Sequence, residues 1–372
     1  MLTTAMKPIA PPKRLIFGPG PSMIYPRVYA AMSQPLTGIR DPYFLSVIAE
    51  IQSGLREVFG TRNAKTFLIP ASGSGAMEAA VSNFVPEGSK FAVFTAGYFA
   101  DRIAAMGERH RANVVRCAKE WGEVFTEEEA SQFIERERPD VVAFVQGETS
   151  TGAYQSGRAI SEPAHRFGAL VMADCVASLG AMPVELDTIG IDIAFSCSQK
   201  GLSCPAGLSP ISISPRAWEW LTKRKDIPVS WYFDLLLLAN YFEEPHVYHH
   251  TPSPPLYYAV REGLAIIEEE GLRERWERHR LVGQKLTAEL IKLGFEPLVK
   301  DAGRRLWHLT VVTPPDDVDE AKLRDRLMQK YGIEIAGGLG KLAGKILRIG
   351  TMGPTATEAQ AEFLLDAIAA SI

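Results

Sequence analysis

The chain has 372 residues, 46% of them hydrophobic and 23% charged, so it can bury a sizeable core and is not a disordered chain. Its length suggests about two domains, at roughly 100–200 residues each. With 44 acidic and 40 basic residues the formal charge is −4, so nothing suggests a surface for nucleic acid or an anionic membrane.

The opening "MLTTAMKPIAPPKR" lacks the apolar core of a secretory signal, and its prolines predict an extended arm over residues 1–15. "KTFLIPAS" (65–72) then reads as a strand and "GAMEAAVSNFV" as a helix. "KFAVFTAG" (90–97) and "YFADRIAAMGERH" repeat the pair. "DVVAFVQGE" (140–148) precedes a turn-rich loop, and "GALVMADCVAS" (168–178) leads to "DIAFSCSQKG" (192–201). This alternation predicts an α/β layer around a mainly parallel sheet buried on both faces. Such sheets bind ligands beyond the carboxyl ends of their strands. There fall "SGSG", "TAGYF", "GETSTG", "DCVAS" and "CSQKG", five polar loops at one edge. After "HHTPSPP" (249–255) the texture changes to one long helical pattern over 256–292. Strand-like "RLWHLTVVTP", helical "DEAKLRDRLMQKYG", strand-like "KILRIGT" and amphipathic "TEAQAEFLLDAIAAS" follow. This reads as a smaller α/β unit, with a boundary near residue 270 inside the helical stretch.

The four cysteines, Cys117, Cys175, Cys197 and Cys204, form no CxxC pair, which points to reduced thiols and a cytoplasmic protein. The longest apolar run, "LLLLA" at 235–239, is far short of a membrane span. His249 and His250 are adjacent and have no spaced partners, so no metal site is expected. "SGSGAME" (72–78) is not a dinucleotide fingerprint, because Glu78 stands where the third glycine is needed, and "GGLGKLAGK" (337–345) is not a phosphate-binding GK[ST] loop. What survives at 72–75 is a Gly/Ser turn opening a helix, whose free N–H groups suit a phosphate as well as they suit a plain helix start.

Two polar residues close apolar runs on successive predicted strands. Asp174 ends "ALVMAD", where an acid is costly to bury unless a cation meets it or it caps the following turn. Lys200 ends the next run, among Ser198, Gly201 and Ser203, which leave room for a planar group beside it. A lysine that condenses with a carbonyl must shed its proton, and removal from water lowers its pKa. Pyridoxal phosphate requires such a lysine, an acid for its ring nitrogen and a phosphate cradle.

At these motifs the chain resembles the class V, fold-type I aminotransferases, and within them the alanine–glyoxylate and serine–glyoxylate enzymes. The resemblance runs from about Leu15 to the C-terminus. "FGPGPS", "SGSGAMEAA", "GETSTG", "DCVASLGAMPVELDTIGIDIAFSCSQKGL", "YHHT" and "LRIGTMG" carry it, in order and at matching intervals. It implies a large pyridoxal-phosphate-binding domain (16–270), with a mainly parallel seven-stranded sheet between helices, and a small C-terminal domain (271–372). It also implies that Lys200 bonds the cofactor's aldehyde and Asp174 pairs with the ring nitrogen. Phe99 and Val176 then lie against the two ring faces, and Thr149 hydrogen-bonds near the phenolic oxygen. Ser72, Gly73, Ser74 and Gln199 take the phosphate, joined by Tyr248 and Thr251 from the neighbouring subunit of a homodimer. The relatives often have Trp where Phe99 stands and His where Ser74 stands. Arg348 corresponds to the arginine that binds the substrate carboxylate, and Gly18, Gly20 and Gly38 to close-approach positions near the substrate.

The implied reaction is transamination from a small amino acid, alanine or serine, to a 2-oxo acid such as glyoxylate or pyruvate. Phosphoserine or aspartate transamination are the alternatives. Cysteine desulfuration is disfavoured, because no cysteine follows Cys204 and Gln199 rather than His precedes Lys200.

Overall fold

A computed structural model of the chain describes residues 8–372. Residues 1–7 of the expected N-terminal arm lie outside the described residues, and 8–14 run exposed and without regular structure. Seven strands make one sheet: β1 (Lys65–Ile69), β2 (Lys90–Thr95), β3 (Asn113–Ala118), β4 (Val141–Val145), β5 (Leu170–Asp174), β6 (Ile193–Phe195) and β7 (Ser209–Ile213). Their order is β1-β7-β6-β5-β4-β2-β3, with β7 antiparallel to both neighbours and every other pair parallel. Every residue of β4 ("VVAFV") and β5 ("LVMAD") is buried, as two-sided cover by helices requires. This is the α/β architecture expected from the alternating pattern.

Two strands escaped that pattern for physical reasons. β3 lies at the sheet edge and keeps several side chains exposed, so its apolar run is diluted. β7 ("SPISI") is fully buried yet carries two serines, each hydrogen-bonded: Ser209 Oγ donates to Ala71 O, and Ser212 Oγ meets Asn63 Nδ2 and Thr66 Oγ1. The long helical pattern after residue 256 is two helices. With α1 (Pro26–Met32), α2 (Pro42–Phe59), α3 (Gly73–Phe84) and α4 (Tyr98–Arg109) preceding them, these are α5 (Pro254–Glu270) and α6 (Leu272–Lys292). Gly271 breaks the run with φ +86°.

A second sheet follows: β8 (Glu296–Pro297), β9 (Leu309–Thr313), β10 (Ala336–Gly337) and β11 (Leu347–Gly350), in the order β8-β9-β11-β10 and antiparallel throughout. It has its own apolar cluster, which includes Phe17, Leu286, Phe295, Leu347 and Leu364. Phe17 belongs there because Leu15–Ile16 pairs in parallel with Ile333–Glu334, and Gly350 N donates to Phe17 O at 2.6 Å. The chain then crosses to the large sheet, where Ser22 bonds Gln199 O through its N–H and Lys200 O through its hydroxyl, each at 2.8 Å. Residues 18–22 are thus strung between the two sheets, against the lysine. Among the described residues no helix is long and apolar enough to cross a membrane.

Candidate active site

The five polar loops converge as the parallel topology requires. Beyond the carboxyl ends of β1, β2, β4, β5 and β6 lies a cavity of about 290 Å³, small for a ligand site. The turn from β1 into α3 brings Ser72, Gly73 and Ser74 to it; the start of α4 brings Phe99; the loop after β4 brings Thr149. Asp174 and Val176 follow β5, Gln199 and Lys200 follow β6, and Gly20 closes one wall.

Lys200 is 9% exposed, and its ammonium nitrogen has no hydrogen bond or ion pair among the described residues. Burial lowers its pKa, and Arg348 pushes the same way against the opposing charges of Asp174 and Glu148. The Cys197 thiol is itself pushed up to about 12 by burial, so it is neutral near pH 7 and offers the lysine no countercharge. Gly20 fixes where the lysine stem runs. Its φ is +128°, and a Cβ there would stand 2.8 Å from Lys200 Cε. The lysine nitrogen lies 5.9 Å from the centre of the Phe99 ring.

Asp174 ends β5 at 2% exposure and accepts one hydrogen bond, from Val176 N at 2.8 Å. Burial pushes its carboxyl up to about 7, and Glu148 adds to the rise. A Cβ on Gly73 would stand 3.1 Å from Val176 Cγ2, tight enough that the valine would have to shift, so glycine eases the approach of the helix start to this strand end. The Ser72 side chain does not cap α3, and the N–H groups of Gly75 and Ala76 bond back to Ser72 O. Those of Gly73 and Ser74 are left for a ligand.

Arg348, on β11, is 7% exposed. Its Nε donates to Gly337 O at 2.7 Å and its Nη1 to Thr149 O at 3.2 Å, which ties it to the cavity wall. No carboxylate pairs with it among the described residues. Other expected positions lie elsewhere in this single chain. Gly38 is exposed, with nothing within 4 Å of a notional Cβ, and Gly18 packs against Gly350. Tyr248 and Thr251 are exposed and bonded to each other at 3.0 Å. His249 stacks on Trp231 at 4.6 Å, a packing role.

Sequence reasoning missed Glu148, buried inside "GETSTG". Its carboxylate accepts from Phe99 N (3.0 Å), Ala100 N (3.3 Å), Ser150 N (3.0 Å) and Ser150 Oγ (2.7 Å), so it pins the start of α4 and with it the Phe99 ring. An acid closing an apolar run was the available signal. His308 was missed too; it is 1% exposed, neither ring nitrogen has a hydrogen-bond partner among the described residues, and burial pushes its pKa down to about 3.

Pyridoxal phosphate fits these groups: a buried amine without a partner, a carboxylate with open acceptor sites, and helix N–H groups opposite a flat aromatic wall. The comparisons agree with the chemistry. The sequence profile of the family described as Aminotransferase class-V matches residues 17–353. The chain is 39% identical over 365 residues to alanine–glyoxylate aminotransferase of Oryctolagus cuniculus, covering 97% of this chain and 93% of that one. It is 36% identical over 372 residues to (S)-ureidoglycine–glyoxylate transaminase of Bacillus subtilis (strain 168), covering 95% and 89%. The crystal structure of alanine–glyoxylate aminotransferase from Nostoc sp. superposes with a TM-score of 0.96 at 42% identity, covering 98% of this chain and 97% of that one. Parallel-sheet topology, lysine cavity and a family match over nearly the whole length agree, and the chain belongs to the class-V aminotransferases, enzymes that depend on pyridoxal phosphate.

Proposed function

We propose that this enzyme moves the amino group of a small amino acid, alanine or serine, onto a 2-oxo acid, with glyoxylate the favoured acceptor and pyruvate another. Arg348 carries this reading. It is a buried guanidinium held by carbonyl oxygens, without a carboxylate partner among the described residues, beside the lysine cavity. Its planar fork takes an α-carboxylate through two parallel bonds, and donor and acceptor each carry one. A second arginine for a side-chain carboxylate is not offered by Arg305, which donates to Val299 O and Lys300 O, both at 2.6 Å. The relatives named for glyoxylate support that acceptor.

When bound, pyridoxal phosphate supplies an aldehyde carbon for the amino group and an electron-poor ring for the charge left at the α-carbon. Lys200, whose pKa burial lowers, would take the α-proton on Nζ and pass it to the cofactor's former aldehyde carbon, and would run the same transfer in reverse in the second half-reaction. Asp174 holds a proton at the ring nitrogen, and Phe99 and Val176 flank the ring. Thr149 serves the phenolic oxygen, while Ser72, Gly73, Ser74 and Gln199 hold the phosphate. Gly20 orients the lysine by its contact with the stem. Cysteine desulfuration is not supported: the last cysteine, Cys204, is 1% exposed and its thiol is pushed up to about 12 by burial.

The functional unit in this reading is a homodimer. Ser72 and Ser74 are exposed at the phosphate end of the cavity, and a partner's Tyr248 and Thr251 would close it, with Gly38 near the substrate. Trp231 (62% exposed) and Val247 (50%), beside Tyr248, give apolar surface for such an interface. In this reading the chain divides near Gly271 into units 16–270 and 271–372, although Ile16 and Phe17 pack with the second unit, and the four free cysteines support a reducing, cytoplasmic compartment. An amino-donor screen with glyoxylate tests the function. Glycine should form with alanine or serine as donor, and sulfide release from cysteine without glycine would replace the reading.

A further inference from the structure

The cofactor's phosphate is close to a dianion at neutral pH, and the cavity-lining side chains around its cradle do not balance that charge. Ser72, Ser74 and Gln199 are neutral, and the start of α3 contributes about half a positive charge. Lys200 is committed to the aldehyde, with burial lowering its pKa, and Arg348 lies against Thr149 O on another wall.

One cation touches the cradle from behind. Arg102, half-buried on the first turns of α4, donates from Nη1 to Ser74 Oγ at 2.9 Å. Its guanidinium carbon sits 4.9 Å from the centre of the Phe99 ring and 5.2 Å from that of Tyr98, so two aromatic faces hold it in place. Among the described residues it has no ion pair, although Arg27, Arg216, Arg275 and Arg324 all have carboxylate partners. A clamped guanidinium that bonds only a hydroxyl is a charge without a counterion. The hydroxyl matters as well. Ser74 Oγ accepts from Arg102, so its own proton is free to be donated elsewhere, and the guanidinium polarises it.

We propose that Arg102 is the charge partner of the cofactor's phosphate, acting through Ser74 and through its field across the cradle as a positioning residue for the dianion. This rests on the pyridoxal phosphate reading of the cavity. It also accounts for Ser74 as a relay of positive charge.

The test compares two ligands that differ only in the phosphate. Dissociation constants of pyridoxal phosphate and of pyridoxal are measured for the apoenzyme by absorbance, in wild type, Arg102→Gln and Arg102→Lys. Arg102→Gln should weaken pyridoxal phosphate about tenfold or more, the size of a lost charge-assisted contact. Pyridoxal affinity should stay within about twofold, which also shows that the variant is folded. Inorganic phosphate should compete with pyridoxal phosphate for the wild-type apoenzyme and compete less well for Arg102→Gln. Arg102→Lys should recover most of the loss. Equal weakening of both ligands would mean that Arg102 only braces Phe99, and unchanged affinities would mean that it neutralises nothing; either result overturns the proposal while leaving the cofactor reading intact. Failure of the wild-type apoenzyme to bind pyridoxal phosphate at all would overturn both.

Discussion

Asp174→Asn separates what the cavity costs from what it is for. The wild-type carboxyl is 2% exposed and accepts a single hydrogen bond from Val176 N, which an asparagine oxygen can accept equally well. Burial moves this carboxyl from its ordinary 3.8 up to about 7. At ~1.4 kcal/mol per pH unit, keeping it ionised in the folded apoenzyme at pH 8.5 costs on the order of 4 kcal/mol, an upper bound because water in the cavity screens it. The amide carries no such cost. Below about pH 4 the carboxyl is protonated in the folded and unfolded chains alike, and the two proteins should be similarly stable. As pH rises, the unfolded wild type releases its proton first, so wild-type stability falls until the folded group ionises near pH 7. Apo Asp174→Asn should therefore melt above apo wild type by roughly 5 °C at pH 8.5, with the gap narrowing toward pH 5. Scanning calorimetry of the two apoproteins across that range reads the effect. Pyridoxal phosphate should then raise the wild-type melting temperature more than the variant's, and the variant's kcat should fall about a hundredfold, equivalent to ~3 kcal/mol. Equal melting temperatures at pH 8.5, or a gap independent of pH, would refute the account of a buried, uncompensated charge.

Borohydride reduction of the holoenzyme followed by peptide mapping should place the cofactor on Lys200; label on any other lysine ends that assignment. Lys200→Ala should bind the cofactor without a covalent bond and lose turnover, as read by absorbance and by single-turnover kinetics. Arg348→Lys should weaken donor and acceptor about a hundredfold, ~2.8 kcal/mol for a lost bidentate pair, while cofactor affinity stays put; the opposite outcome makes Arg348 structural. A mixed dimer of a Tyr248→Phe, Thr251→Val chain with a Lys200→Ala chain should have one intact site and about half the wild-type rate, against weak activity for either parent. Activity no greater than the parents' average would place the phosphate contacts within one chain.

The layout of the site was legible because two-sided parallel strands leave an unusual trace: short, uninterrupted apolar runs that end in polar loops on one edge. "LVMAD" and "IAF" could be read with their closing loops, so Asp174 and Lys200 stood out before any contact was known. Where burial is combined with internal hydrogen bonding the trace fades. β7 hides its core position behind Ser209 and Ser212, whose partners are far away in sequence. A boundary was expected near residue 270, but the helical pattern over 256–292 was read as unbroken there, because a glycine inside such a pattern can be tolerated as well as break it. Arg102 was one arginine on an amphipathic helix, and what distinguishes it, a hydroxyl partner 28 positions earlier and no carboxylate among the described residues, is a property of the packing alone.

Glu148 and Asp174 show how function can be separated from structure when both groups are buried acids beyond neighbouring strand ends. Burial raises the pKa of each. A carboxylate has about four acceptor sites. In Glu148 they are matched by four donors: Phe99 N and Ala100 N on one oxygen, Ser150 N and Ser150 Oγ on the other. Its charge is balanced by the amides that open α4, and it has nothing left to offer a ligand. Asp174 has one donor, Val176 N, and its remaining acceptor capacity faces the cavity that it lines. A fold selected for stability alone would not keep a carboxylate in that state, because an apolar or amide side chain would cost less. The same reasoning reaches Lys200, buried without an acceptor, and Arg348, buried without an anion, among the described residues. In the proposed function each is an incomplete pair, and the missing halves would be a protonated ring nitrogen, a carbonyl carbon and a carboxylate. A cofactor aldehyde with an amino acid is the combination that completes all three at once.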